Sequence, residues 1–199
     1  MAQSEQKKNM RLIGHNQLNG FGNCGEGFAL KQLPGGRRIL YIAHESGPKD
    51  FTGLDVTNPA EPKVIVQTEL PHNKVRSNSL ALVDDILLVA YQAASPGPDA
   101  ASLGTKPVGM GVYDVSDVER PKQISFFDTS GPHSRGTHCL WFVDGRYAHL
   151  STGMPDFVPS NPKDDQFYVI VDMADPTKPT EAGRWWLPGT RQGDKVPPP

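Results

Sequence analysis

Cysteine is almost missing. Cys24 and Cys139 stand alone in 199 residues with no CxxC spacing, which leaves no disulfide framework and suits a reducing compartment. Long apolar runs are missing too: 37% of residues are hydrophobic, and no stretch approaches the ~20 apolar residues that a membrane-crossing helix needs. Neither sign of charge dominates, since 20 Lys+Arg face 22 Asp+Glu for a net charge of −2, which argues against a nucleic-acid arm or a polybasic membrane surface. The segment from Met1 to Arg11 lacks the apolar core of a secretory signal. The expected location is therefore cytoplasmic, with no nucleic-acid or membrane partner. No Gly-x-Ser-x-Gly elbow occurs, so a serine hydrolase has no support.

What the chain has in excess is punctuation: 20 glycines and 19 prolines, about a fifth of all residues. Such a composition disfavours long helices and favours short strands joined by turns. A repeat gives the turns an order. Asp55-Val56-Thr57-Asn58-Pro59 recurs as Asp114-Val115-Ser116-Asp117 and as Asp172-Met173-Ala174-Asp175-Pro176, and each copy is followed by a proline, at Pro62, Pro121 and Pro179. Asp and Asn at these places bond their own backbone two residues on and initiate turns. Each repeat also carries an inner apolar run beginning at Phe28, Ser79 or Cys139. A second run begins at Ile39, Ile86 or Tyr147, the Asp-containing strand comes third, and a closing strand begins at Val64, Gln123 or Gly183.

Four short antiparallel strands per repeat, with Asp55, Asp114 and Asp172 spaced 59 and 58 residues apart, describe a β-propeller blade. The fold class is thus all-β, with three blades that form part of a larger propeller of about seven. The expected limits are a polar tail over 1–10, a leading strand and glycine-rich loop over 11–27, blades over 28–71, 72–131 and 132–188, and a tail or the start of a further blade over 189–199. Trp141, Trp185 and Trp186 are expected to fill gaps between neighbouring sheets, and Cys139, at the head of an apolar strand, to be buried.

These residues resemble the LVIVD-repeat β-propeller proteins. The resemblance rests on Asp-Val-Thr-Asn-Pro and its two copies, on Gly14-His15-Asn16, on Gly136-Thr137-His138 and on Gly183-Arg184-Trp185-Trp186-Leu187-Pro188-Gly189. It implies the propeller and says little about activity, because one such scaffold hosts many functions. It also implies a longer chain, of which this would be the N-terminal half. The other route to closure is pairing with a second copy.

Gly20-Phe21-Gly22-Asn23-Cys24-Gly25 satisfies GxGxxG, and Glu45 lies 20 residues beyond it. A crossover helix would have to fit before Pro34-Gly35-Gly36, which is too short for a βαβ unit. The glycines therefore read as a loop.

Strand alternation sorts the polar residues. His44-Glu45, residues 92–107 and Met154-Pro155-Asp156-Phe157 are loops between second and third strands, and His72, Arg76, Asn78, His133, Arg135 and His138 lie in or after the links between blades. Five histidines, counting His15, then share one face, and His149 does not. Arg76, Arg135 and Arg191 each follow a proline by a few residues and are expected to enter the inner strands near the channel. There they would either hold a carboxylate or phosphate, which a guanidinium bonds bidentately, or pair with a neighbouring Asp. Glu26, Asn78 and His138 occupy one equivalent position in the three repeats. The expected ligand set is Arg76, Arg135, Asn78, Glu26, His72 and His133, with His138 as a candidate acid/base. His44, His72, His133 and His138 are the candidates for binding Zn, Cu or Fe, although His-x4-His in a loop is a weak spacing signal.

Two functions follow as expectations. The first is a module that binds a small anionic molecule or a protein partner on its His/Arg-rich face. The second is a metal-dependent hydrolase or copper-type oxidase acting on a small organic acid or thiol at the channel mouth, a reading that a loose similarity of the first blade to selenium-binding and methanethiol-oxidase-type propellers keeps in view.

Overall fold

The computed structural model describes residues 9–93 and 107–195. Among these, twelve strands form three four-stranded antiparallel sheets, each a meander in chain order. Sheet 1 contains β1 (Cys24–Gln32), β2 (Arg38–His44), β3 (Lys49–Asp55) and β4 (Lys63–Glu69). Sheet 2 contains β5 (Val75–Val83), β6 (Ile86–Ala93), β7 (Gly109–Asp114) and β8 (Lys122–Asp128). Sheet 3 contains β9 (Thr137–Phe142), β10 (Tyr147–Thr152), β11 (Phe167–Asp172) and β12 (Thr180–Trp185). The four strand signals of each repeat thus become the four strands of one sheet. No helix of the described residues is long and apolar enough to cross a membrane.

The repeated aspartates hold the third-to-fourth connections. Asp55, Asp114 and Asp172 accept backbone N–H bonds two residues on, from Thr57 (3.0 Å), Ser116 (2.8 Å) and Ala174 (2.8 Å). Three positions later Asn58, Asp117 and Asp175 do the same for Ala60, Glu119 and Thr177. Two successive Asx turns reverse the chain, and the motif needs its acceptors at this spacing to make them.

The same aspartates set the equivalence between sheets. Asp55, Asp114 and Asp172 stand opposite Ile39, Ile86 and Tyr147 on the second strands. Counting from there, the face of sheet 1 that carries Tyr41 and Ala43 corresponds to the face of sheet 2 that carries Leu88 and Ala90. The first packs on Leu87, Val89 and Tyr91 of sheet 2, and the second packs on Leu140, Ala148 and Leu150 of sheet 3. Each sheet therefore offers the same face forward and receives on the same face behind.

The inner strands β1, β5 and β9 run side by side at the junctions. Gly27 makes the first contact possible, since a Cβ there would lie 2.5 Å from the Leu80 backbone nitrogen.

Several expectations are corrected. Residues 11–13 form no strand and pair with none among the described residues, and Leu12 and Ile13 are exposed. The first inner strand begins at Cys24 rather than Phe28, because the close approach of β5 draws Gly25 and Gly27 into extended backbone. Trp141 and Trp185 are 64% and 61% exposed and fill no gap, since they lie on the face of sheet 3 that has no further sheet against it among the described residues. Trp186 packs edge-on to Phe157 and Phe167, both of its own sheet and loop, rather than between two sheets. Cys139 shares the open face of sheet 3 and is exposed, as is Cys24.

Candidate functional site

All three inner strands break register at the same place. The pairing of β1 with β2 slips between Cys24 and Phe28, that of β5 with β6 between Ser77 and Leu80, and that of β9 with β10 where His138 is the extra residue. Glu26, Asn78 and His138 sit in these bulges, at the equivalent positions that the repeat assigns to them. A bulge re-aims side chains and interrupts the ladder, which frees polar groups at the ends of otherwise regular strands.

Two of the three bulge residues meet. Asn78, buried in the junction, donates its Nδ2 to the His138 carbonyl (2.9 Å) and lies 3.0 Å from His138 Nδ1. On its other side His138 Nδ1 is 3.0 Å from Gln92 Oε1, which also accepts from Arg76 Nη2 (3.0 Å). Arg76 Nη1 reaches Glu45 Oε2 at 3.4 Å, a loose ion pair. Glu45, Arg76, Gln92, Asn78 and His138 thereby form one chain of polar side chains across the ends of sheets 1, 2 and 3. Glu26 does not join it; it faces the open side of sheet 1, exposed.

The cluster keeps unused valences. Arg76 Nε and Asn78 Oδ1 are buried without a hydrogen-bond partner among the described residues. His138 Nδ1 stands between an acceptor, Gln92 Oε1, and a donor, Asn78 Nδ2, so either tautomer satisfies one neighbour and disappoints the other.

Arg135 behaves differently. Counting back from Ser77 and Thr137, which stand opposite the equivalent Tyr91 and Thr152, Arg76 matches Gly136, and Arg135 lies one residue further out. Its guanidinium forms a bidentate pair with Asp165 at 2.6 and 2.7 Å, and this carboxylate is 3% exposed. The shared bond holds the Arg135 guanidinium firmly in its charged form. Arg191 bonds the Asp156 carbonyl and lies over the Trp186 ring. Only Arg76 of the three stands at an inner-strand bulge. Arg135→Ala would strand Asp165 in a buried setting, and a loss of about 2 kcal/mol is expected in the denaturant midpoint, the partial exposure of Arg135 keeping it below the cost of a fully buried pair.

The candidate metal ligands do not converge. His44 is buried, its Nε2 2.7 Å from Thr52 Oγ1 and its Nδ1 3.3 Å from the Gly22 carbonyl, and burial lowers its pKa. His72 bonds the Pro107 carbonyl at 2.7 Å and accepts the Lys74 N–H, so it ties its link to the residues just before β7. His133 is exposed in the next link. Among the described residues no group of three or more His, Cys, Asp or Glu side chains is placed to hold a metal ion. His15 departs from its expected face, because its neighbours Gly14 and Asn16 lie against Pro59 and Pro62, at the opposite end of sheet 1. Most of the segment 92–107 lies outside the described residues.

Glu45 and Gln92 are the members of the cluster that site reasoning missed. A signal for them existed: His44 and Tyr91 are equivalent by the aspartate count, so Glu45 and Gln92 are the same position, at the end of the second strand.

Beneath the cluster lies a second polar group, sealed between sheets 1 and 2. Asp50 is fully buried; its Oδ2 accepts from Tyr91 Oη (2.6 Å) and Tyr113 Oη (3.3 Å), while Oδ1 has no partner among the described residues. Ser77 Oγ donates to the Asp50 carbonyl and accepts the His44 N–H. Burial without a cation raises the Asp50 pKa to about 7.

No protein-family model matches the chain, and no curated protein matches it.

Proposed function

We propose that the three sheets are three blades of a larger propeller, of the LVIVD-repeat type that the aspartate turns suggest, and that the bulged ends of their inner strands bind a small anionic molecule, a carboxylate or a phosphate. The observation that supports this is the state of Arg76. Its guanidinium carries a fixed positive charge at the junction of two sheets, its ion pair with Glu45 is a loose 3.4 Å, and Nε has no partner among the described residues. An incoming carboxylate replaces Glu45 on the guanidinium in a charge-assisted, two-pronged bond. Gln92 and Asn78 orient the neighbouring His138 ring, whose Nε2 has no bonding partner among the described residues, so that it can contact a second polar group of the ligand. A metal-dependent hydrolase or copper-type oxidase is not carried forward, since His44, His72 and His138 hold separate bonds and, with the exposed His133, form no shared donor set among the described residues.

Titration calorimetry with small mono- and dicarboxylates and with inorganic phosphate tests the reading. Arg76→Ala is expected to weaken binding by about 10- to 100-fold, the worth of a hydrogen bond to a charged group. Its stability should fall by less than ~1 kcal/mol, since the Glu45 pair is partly exposed. Binding that survives Arg76→Ala unchanged, or the absence of binding by any of these anions, overturns the proposal.

A further inference from the structure

Two apolar sheet faces remain uncovered among the described residues. On sheet 3, Trp141, Val143, Tyr168 and Trp185 are between 40% and 64% exposed, and on sheet 1, Phe28 and Leu30 are 59% and 49% exposed. Large apolar groups gathered on one face mark an interaction surface. The repeat says what kind of surface each is. His149 and Ser151 on the open face of sheet 3 are equivalent to Leu88 and Ala90, by which sheet 2 packs forward onto sheet 3. Leu40 and Ile42 on the open face of sheet 1 are equivalent to Leu87 and Val89, by which sheet 2 receives sheet 1. The chain therefore presents both halves of an interface that it already makes twice within itself.

We propose, resting on the blade reading above, that a second copy of this chain covers both faces: sheet 3 of each copy packs on sheet 1 of the other, and the two copies close a ring of six blades. A forward face cannot meet a receiving face within three sheets, but it finds one on an identical chain. Two such contacts related by a two-fold axis close the assembly and leave no free end, and six blades fall within the four to eight of closed propellers. The outer part of the receiving face is already occupied by the chain's own Leu18, packed on Ile42 and Leu54. The second copy therefore docks chiefly against the inner strand, where Phe28 and Leu30 stand clear.

Sedimentation equilibrium of the full chain at micromolar concentration should give twice the mass of one chain. Trp185→Glu and Phe28→Glu alter exposed side chains, so each should keep the wild-type circular dichroism and thermal transition of the isolated chain. Each alone should weaken dimerisation at least about tenfold, the effect of losing an aromatic anchor. Mixed together they should associate better than either alone, because one intact forward face then meets one intact receiving face. A monomer at these concentrations overturns the proposal, as does an open series of larger species or a dimer sensitive to Trp185→Glu but not to Phe28→Glu. The calorimetry with Arg76→Ala is read separately, so loss of the dimer and loss of the anion site are distinguishable.

Discussion

Gly27→Ala is expected to destabilise the protein by about 3 kcal/mol or more, and Gly27→Val to prevent the native sheet junction from forming. The Cβ would lie 2.5 Å from the Leu80 nitrogen and 2.8 and 2.9 Å from the Ser79 carbonyl carbon and Cα. All three are backbone atoms, so no rotamer change relieves the overlap; β5 itself must move away from β1. Against this, removing a glycine from the unfolded chain gains only ~0.4–1 kcal/mol. Gly183→Ala is the matched control: it too is a strand residue, with open space around it, and should be neutral or slightly stabilising. Denaturant unfolding of both variants checks the pair. Equal midpoints would mean that the inner strands are not in close contact.

The second large effect is pH-dependent. Asp50 has its folded-state pKa raised to about 7, from an ordinary value of 3.8. Between these values the native state keeps a proton that the unfolded chain has released, so the contribution of this group to stability is greatest below about pH 4, falls as pH rises and levels off above about pH 7. At 1.36 kcal/mol for each pH unit of separation, the loss is on the order of 4 kcal/mol. Asp50→Asn removes the titration while keeping an acceptor for Tyr91. The variant should match the wild type near pH 4 and exceed it by a few kcal/mol near pH 8, measured as guanidinium unfolding at each pH. Parallel stability curves for the two proteins would show that the Asp50 carboxylate is not sealed between the sheets.

Much of the fold was legible because its signals are local. The spacing of Asp55, Asp114 and Asp172 reports turns that each close within a few residues, and the strands between them follow from alternation and punctuation. The junctions were less legible. Gly25 and Gly27 read as loop, because their reason is a strand more than 50 residues away, and a close backbone contact leaves no periodic trace. The exposure of Trp141 and Trp185 likewise depends on what stands next to sheet 3, not on the residues themselves.

For the site, the equivalence of Glu26, Asn78 and His138 pointed to the right level of the fold, yet Glu26 faces outward while Asn78 and His138 share hydrogen bonds. The arginines looked alike in sequence, each a few residues after a proline. One residue of offset along the strand sends Arg135 to a buried Asp165, and leaves Arg76 between Glu45 and Gln92. Both bulges insert one residue, so they leave the offset as the sequence has it: Arg76 stands two residues before Asn78, and Arg135 three before the equivalent His138.

The central claim is that Arg76 is the anion-binding arginine of this protein. Nitrogen-15 NMR of the arginine side chains, titrated with succinate and then with phosphate and assigned through Arg76→Lys, measures it directly. The account predicts that the Nε–Hε signal of Arg76 moves farthest and saturates, while that of Arg135, held on Asp165, stays in place. Small unsaturable shifts spread over all arginines, or a saturable shift centred on another one, would contradict it.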